Sequence, residues 1–180
     1  MTVLTFVDVE TTGLDARIHQ PYEVCIWRED EREPTTLDLA HDLTFADQQA
    51  LKIGGYFARN AHLIHEGADR GHVARKLQGV TLVGSNPAFD AAMLTRYIGT
   101  PVWHHRLIDV AQGAMWVFDW NRPKGLADVA TALRERGYDI PEPDHTAEGD
   151  VRATRAVYYA LRELRGETPP LTVAAEGVAV

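Results

Sequence analysis

TFVDVETTGL (residues 5–14) starts as a strand made for the interior of a sheet and ends in two acids. Alternate strand residues share a face, so Leu4, Phe6, Asp8 and Glu10 lie on one side, with Val3, Val7 and Val9 on the other. Both sides are apolar, as in a strand covered on both faces. Asp8 and Glu10 therefore extend an apolar face at the carboxyl end of the strand. Acids are mostly exposed, and burying one without a partner is costly. The pair becomes informative only if acids from elsewhere join it.

Two more acids occupy positions where a hydrophobe would be expected. In VGSNPAFDAAML (83–94), Asn86 suits an N-cap and Pro87 the first helical position. Asp90 then shares a helical face with Met93, Leu94 and Tyr97. The helix dipole accounts for an acid near this end, but it does not account for the apolar face. In DHTAEGDVRATRAVYYAL (144–161), the stripe of Ala153, Ala156, Val157, Ala160, Leu161 and Leu164 is extended backwards by Asp150. Arg152, Arg155 and Arg162 are expected on the outer face of that helix.

Three separate elements thus aim carboxylates inward, and like charges raise one another's pKa and repel. Hard divalent cations resolve such a conflict by taking carboxylate oxygens. No Lys or Arg lies in the first strand or on the apolar stripes, so metal is the expected compensation. His145, at a loop–helix junction five residues before Asp150, is placed to accept a proton near neutral pH.

The bulk composition sets limits on this reading. A chain of 180 residues, 45% hydrophobic and 24% charged, fits one globular domain. Its net charge of −8 argues against coating a duplex with a broad basic face, while leaving room for a local site where cations neutralise both protein acids and phosphate. No apolar run reaches the ~20 residues of a bilayer span. The N-terminus lacks the basic segment of a signal peptide. The single cysteine, Cys25, makes no internal disulfide and suits a reducing cytoplasm.

Along the chain, strands are expected at 2–9, 21–28, 35–42, 79–84 and 106–110. The first three, joined by short turns, read as an antiparallel meander. Residues 44–68 read as irregular, with a short helix at 46–52 broken by Gly54-Gly55. Helices are expected at 69–78, 87–98, 111–118, 125–136 and 147–165. Strands first, then strand–helix alternation, give an α/β fold: a mixed sheet with helices packed on its faces. Residues 166–180 contain Pro169-Pro170 and no helical period, and are expected to form a mobile tail after a domain of 1–165.

Taken together, VDVETTGLD (7–15), VGSNPAFDAAML (83–94) and His145-x4-Asp150 resemble, in order, the three motifs of the DEDDh (DnaQ-like) 3′–5′ exonucleases. That family includes the proofreading subunit of bacterial DNA polymerase III. LIDV (107–110), with Asp109, and GLADVA (125–130) add weaker likeness. Ser85 stands where the family often has a histidine.

The resemblance implies an RNase H-like fold whose five-stranded mixed sheet has three antiparallel and two parallel strands. It implies two Mg²⁺ or Mn²⁺ ions held by Asp8, Glu10, Asp90 and Asp150, with His145 as general base. It also implies hydrolysis from single-stranded nucleic-acid 3′ ends, DNA ahead of RNA, releasing nucleoside 5′-monophosphates. Thr11, Thr12 and Leu14 match the stretch that lies near the terminal nucleotide, and Phe89 is a further candidate contact. HHRLIDV (104–110) is similar to oligoribonucleases, yet VETTGL lacks their methionine after the motif glutamate. No clear sliding-clamp-binding peptide or fused polymerase accompanies the motifs, so a proofreading partnership has no support in the sequence.

Three rival readings are weaker. A haloacid-dehalogenase-type phosphatase also ends its first strand in D-x-D, but Glu10 replaces the second Asp, and GDVRAT (149–154) lacks that class's paired acids. A non-catalytic RNase H-like binding module would tolerate losing members of the acid set, which is complete here. Zinc binding through His62-x2-His65, with His72 or His104-His105, lacks cysteines and an H-E-x-x-H pattern.

Overall fold

The computed structural model describes residues 2–63 and 66–167. Most of the expected tail, residues 168–180, and His65 of the rival zinc pair lie outside the described residues. Five strands, β1 (Leu4–Thr11), β2 (Pro21–Arg28), β3 (Thr35–Asp38), β4 (Thr81–Gly84) and β5 (Ile108–Asp109), form one sheet in the order β3-β2-β1-β4-β5. β1 pairs antiparallel with β2, and β2 with β3; β4 runs parallel to both β1 and β5. Six α-helices cover the sheet: α1 (Gln48–Ile53), α2 (Arg70–Leu77), α3 (Pro87–Ile98), α4 (Val110–Val117), α5 (Leu126–Arg134) and α6 (Ala147–Leu164). Among the described residues no helix is long and apolar enough to cross a membrane.

The two faces of β1 meet two different layers, as its alternation demands. Val7 and Val9 pack with Val24, Ile26 and Leu82 against Val73 and Leu77 of α2 and Met93, Leu94 and Tyr97 of α3. Phe6, with Cys25, Trp27 and Val83, packs against α4, α5 and α6 through Ala114, Val129, Leu133, Val151, Val157 and Leu161. Burying such side chains stabilises the fold by roughly 1.5–3 kcal/mol each. A third, small cluster of Tyr22, Leu51, Tyr56 and Ala61 anchors the 48–63 segment to the start of β2.

Some local expectations need correction. β1 runs two residues past its expected end, so Glu10 as well as Asp8 lies within the strand, where the β2 ladder holds their backbone. Asn86 sits at the N-cap of α3 in the left-handed region, φ 64°, but its side chain makes no capping bond. Pro87 does occupy the first turn. Arg155 is not on the outer face of α6. Its guanidinium lies 4.3 Å from the centre of the Trp27 ring and 5.1 Å from that of Tyr159, covering aromatic surface that the sheet would otherwise expose. Arg152 and Arg162 do face outward, paired with Glu148 and Glu167.

Candidate functional site

The site lies at the carboxyl end of β1, where the sheet opens. β4 pairs with β1 only as far as Phe6–Val83, so the Val9 amide has no strand partner there. Asp90 supplies one: its Oδ1 accepts the Val9 N–H at 3.0 Å. Gly84 permits this approach, because a Cβ there would stand 3.0 Å from Pro87 and 3.3 Å from the Val7 carbonyl. The chain can therefore turn directly from β4 into α3, which carries Asp90, only 3% exposed, to the edge of β1.

Asp8 and Glu10 lie on the Phe6 face, toward α6. Asp150, in the first turns of α6, reaches back so that its Oδ1 accepts the amides of Asp144 at 3.1 Å and His145 at 3.3 Å. Thr146 caps the helix by accepting the Gly149 amide at 3.0 Å. These bonds fold the turn tightly, with His145 left-handed at φ 58° and exposed beside Asp150. Non-glycine residues seldom adopt that conformation, and here the Asp150 carboxylate helps to hold it.

Electrostatics show that the acids share one environment. Burial pushes the Asp8 carboxyl well above the carboxylate range, and the charges of Asp90, Asp150, Glu10 and Glu23 push it further. Burial lifts Glu10 to about 7 despite the opposing pull of Arg59, with Asp150 and Glu23 adding to the rise. Asp90 also stands at about 7, again chiefly through burial and against the pull of its amide bonds. Asp150 is raised by burial and partly relieved by the amide and charge of His145.

The sequence reading missed four contributors. Glu23 lies directly across the ladder from Glu10, with its Oε1 accepting the Ala147 amide of α6 at 3.2 Å. Its signal was legible: in PYEVCIWR it shares parity with Cys25 and Trp27, on the face toward α6. Tyr22, fully buried, aims its hydroxyl at Glu10 Oε2 (3.4 Å) and at the Gly54 carbonyl (3.3 Å). Arg59 enters from a segment with no periodicity and donates to Glu23 at 2.8 Å. The first strand and the apolar stripes carry no basic partner; this one comes from outside the regular elements, and it pairs with Glu23.

Gly54 is the fourth. A Cβ on it would lie 2.6 Å from Glu10 Oε2 and would overlap the Tyr22 hydroxyl. Its φ of −72° suits any residue, so the constraint is purely one of space. Gly54→Ala is expected to displace Glu10, where a misplacement of ~1 Å can cost as much as ~10²-fold in rate. Steady-state kinetics beside a thermal melt would check this. The activity loss should exceed what the ~1–3 kcal/mol cost of overpacking explains.

The remaining candidates have varied surroundings. The Thr11 hydroxyl donates to the Gly13 carbonyl at 2.8 Å, and the Thr12 hydroxyl accepts the Gln20 amide at 2.9 Å. Both side chains thus brace the loop that follows β1. Leu14, 80% exposed, is left free at its tip. Phe89 packs partly against the Val7–Met93 layer. Asp109 caps α4 through the Ala111 amide at 2.8 Å, and its Oδ1 lies 3.4 Å from the Asn86 amide.

Among the described residues no group of three His, Cys, Asp or Glu side chains is disposed to hold one ion as it stands. The donor chemistry nevertheless fits a hard divalent cation: four carboxylates from three elements, each raised in pKa, with burial and mutual repulsion among the causes.

No protein-family model matches the chain, and no curated protein matches it. Solved structures do. The chain is similar to E. coli exonuclease I in complex with a dT13 oligonucleotide, at 18% identity and a TM-score of 0.56. That likeness covers 91% of this chain and 41% of exonuclease I. The zinc-bound form of the E. coli exonuclease I–single-stranded DNA complex is similar at 20% identity and a TM-score of 0.56, over 92% of this chain and 41% of that one. The fold is RNase H-like. The chain spans about two fifths of the exonuclease I structures it matches, and at this identity the likeness is one of fold.

Proposed function

We propose that the chain is a metal-dependent 3′–5′ exonuclease acting on single-stranded nucleic acid, DNA ahead of RNA, and releasing nucleoside 5′-monophosphates, with residues 1–165 as its catalytic domain. The observation that carries this reading is the gathering of Asp8, Glu10, Asp90 and Asp150 at one end of β1, in a setting that leaves their charges mutually unfavourable. Support also comes from the three motifs and from the likeness in fold to an exonuclease solved with a dT13 oligonucleotide. The finer resemblance to a polymerase III proofreading subunit gains nothing from these structures. The lone buried thiol is consistent with work in a reducing cytoplasm.

Asp8, Glu10, Asp90 and Asp150 would hold two Mg²⁺ or Mn²⁺ ions, which when bound supply a nucleophilic water and stabilise the departing 3′-oxygen. His145, exposed on the turn that Asp150 braces, accepts the proton of the attacking water on a ring nitrogen. Leu14 offers an apolar surface to the terminal base, on a loop stiffened by Thr11 and Thr12. Phe89, half-buried against the Val7–Met93 layer, is a further candidate contact for the terminal nucleotides.

The test is a panel of 3′-labelled single-stranded DNA, recessed and mismatched duplex, and single-stranded RNA, each with Mg²⁺ or Mn²⁺. Release of labelled mononucleotide, blocked by chelator, is expected. Intact single-stranded DNA and RNA ladders with Mn²⁺ would sink the proposal. His145→Ala should slow turnover by the ~10²–10⁴-fold of a lost general base. Mn²⁺ binding measured by calorimetry should stay close to the parent's. A variant as fast as the parent removes that role.

A further inference from the structure

We infer that Arg59 withholds Glu23 from the carboxylate set that takes divalent ions, so that this acid stands beside the four that serve the site without joining them. The inference rests on the nuclease reading above. β1 and β2 place Glu10 and Glu23 opposite one another, and directly opposed residues on a sheet face have Cβ atoms ~4.5–5.5 Å apart. Glu23 therefore stands as close to the site as a ligand would, and its charge raises both Asp8 and Glu10.

Both of its carboxylate oxygens are nevertheless engaged. Arg59 Nη1 donates to Oε1 at 2.8 Å and to Oε2 at 2.9 Å, and the Ala147 amide adds a bond to Oε1. The guanidinium is itself fixed from two other directions. Nε donates to the Gly54 carbonyl at 2.9 Å, and Nη2 lies 3.3 Å from the Tyr22 hydroxyl. The pair is partly buried, with the two side chains 27% and 14% exposed, so water screens it less than a surface pair.

Without Arg59, Glu23 keeps only the Ala147 amide and turns an uncompensated carboxylate toward Glu10, and the site loses a positive charge. Coulomb attraction for a divalent ion then rises, while a fifth oxygen donor competes for it in the wrong place. Arg59 is thus a positioning residue: it touches no reacting atom and fixes which acids are offered.

The experiment is calorimetric titration of the full chain with Mn²⁺ in the absence of nucleic acid, alongside turnover. Arg59→Met, which keeps the aliphatic stem, is expected to bind Mn²⁺ about tenfold more tightly and to turn over about tenfold more slowly. Adding Glu23→Gln should return both values to those of the parent. Gln retains the acceptor for the Ala147 amide.

Unchanged or weaker binding in Arg59→Met overturns the inference. So does tighter binding that Glu23→Gln fails to reverse, or that Glu163→Gln, at the far end of α6 from Asp150, reverses equally well, which would make the effect one of net charge. Should Arg59→Met fail to fold, Arg59→Gln takes its place and is read by the same outcomes. A parent protein that binds no Mn²⁺ would bring down the nuclease reading and this inference together; the other adverse results bring down this one alone.

Discussion

Asp8→Asn is expected to abolish turnover and, in the absence of divalent ions at pH 8, to melt at a higher temperature than the parent. The two effects have one cause. Burial and four neighbouring acids oppose the charge of Asp8, so above the ordinary carboxylate range the folded chain bears a cost that the unfolded chain does not. Each unit by which folding raises a carboxyl pKa costs about 1.4 kcal/mol once the group is ionised. In a chain of this size, about 1 kcal/mol moves the melting temperature by roughly 2–4 °C. A neutral amide of the same shape relieves the repulsion, so a gain of several degrees is expected. The same amide is a poor ligand, so Mn²⁺ should raise the melting temperature of the parent far more than that of the variant. Calorimetric melts with chelator and with Mn²⁺, beside the labelled-strand assay, measure all of this. Near-parental turnover would remove Asp8 from the metal set, and a lower melting temperature in chelator would refute the repulsion. Asp150→Ala should also lose turnover, but without the gain in stability, because the amides of Asp144 and His145 lose their acceptor.

The second large effect is a fall in the stability of the metal-free protein between pH 5 and pH 8. Glu10 and Asp90 hold their protons up to about 7 in the folded chain, and Asp8 and Asp150 are raised as well. The unfolded chain releases the same protons near the ordinary carboxylate range of about 4. Between those limits the folded state binds more protons than the unfolded one, so stability falls as pH rises and levels off above the folded pKa values. Acids lowered by exposed ion pairs, such as Asp15 beside Arg17, have the opposite sign, but they act at lower pH and are screened by solvent. Melts in chelator should therefore give a lower melting temperature at pH 8 than at pH 5.5. Mn²⁺ should reverse the difference, since only deprotonated carboxylates take the ion. A melting temperature that climbs over that interval in chelator would contradict the clustering of the acids.

Sequence spacing carried the fold wherever an element's own pattern met its surroundings. The doubly apolar alternation of 3–9 placed β1 at the centre of the sheet, and its two faces separate into two packed layers. Asn86-Pro87 marked the start of α3 to the residue, although the Asn side chain does not cap it. The inward acids were legible for the same reason, as polar residues on apolar periods. Arg59 and Gly54 were not. They reach the acids across some 36–49 residues of chain, from a segment whose order comes from Tyr22 and Leu51 rather than from any period of its own. Glu23 was within reach of reading, given the β1–β2 register, because an acid opposite an acid requires a compensating group. Arg155 was misplaced because counting along a helix does not reveal an aromatic surface on the sheet beneath it.

The cluster of Tyr22, Leu51, Tyr56 and Ala61 stands apart from both main layers and, among the described residues, contains four buried side chains. A unit so small opens by local unfolding at a free energy well below that of the sheet it leans on. In hydrogen exchange, amides of residues 49–61 should lose protection before those of β1 or β2. Each such opening would free the Glu10 carboxylate from its packing against Gly54 and take Arg59 away from Glu23 while the strands bearing both acids stay folded, so the readiness of the centre fluctuates on the timescale of this flap rather than that of the whole protein.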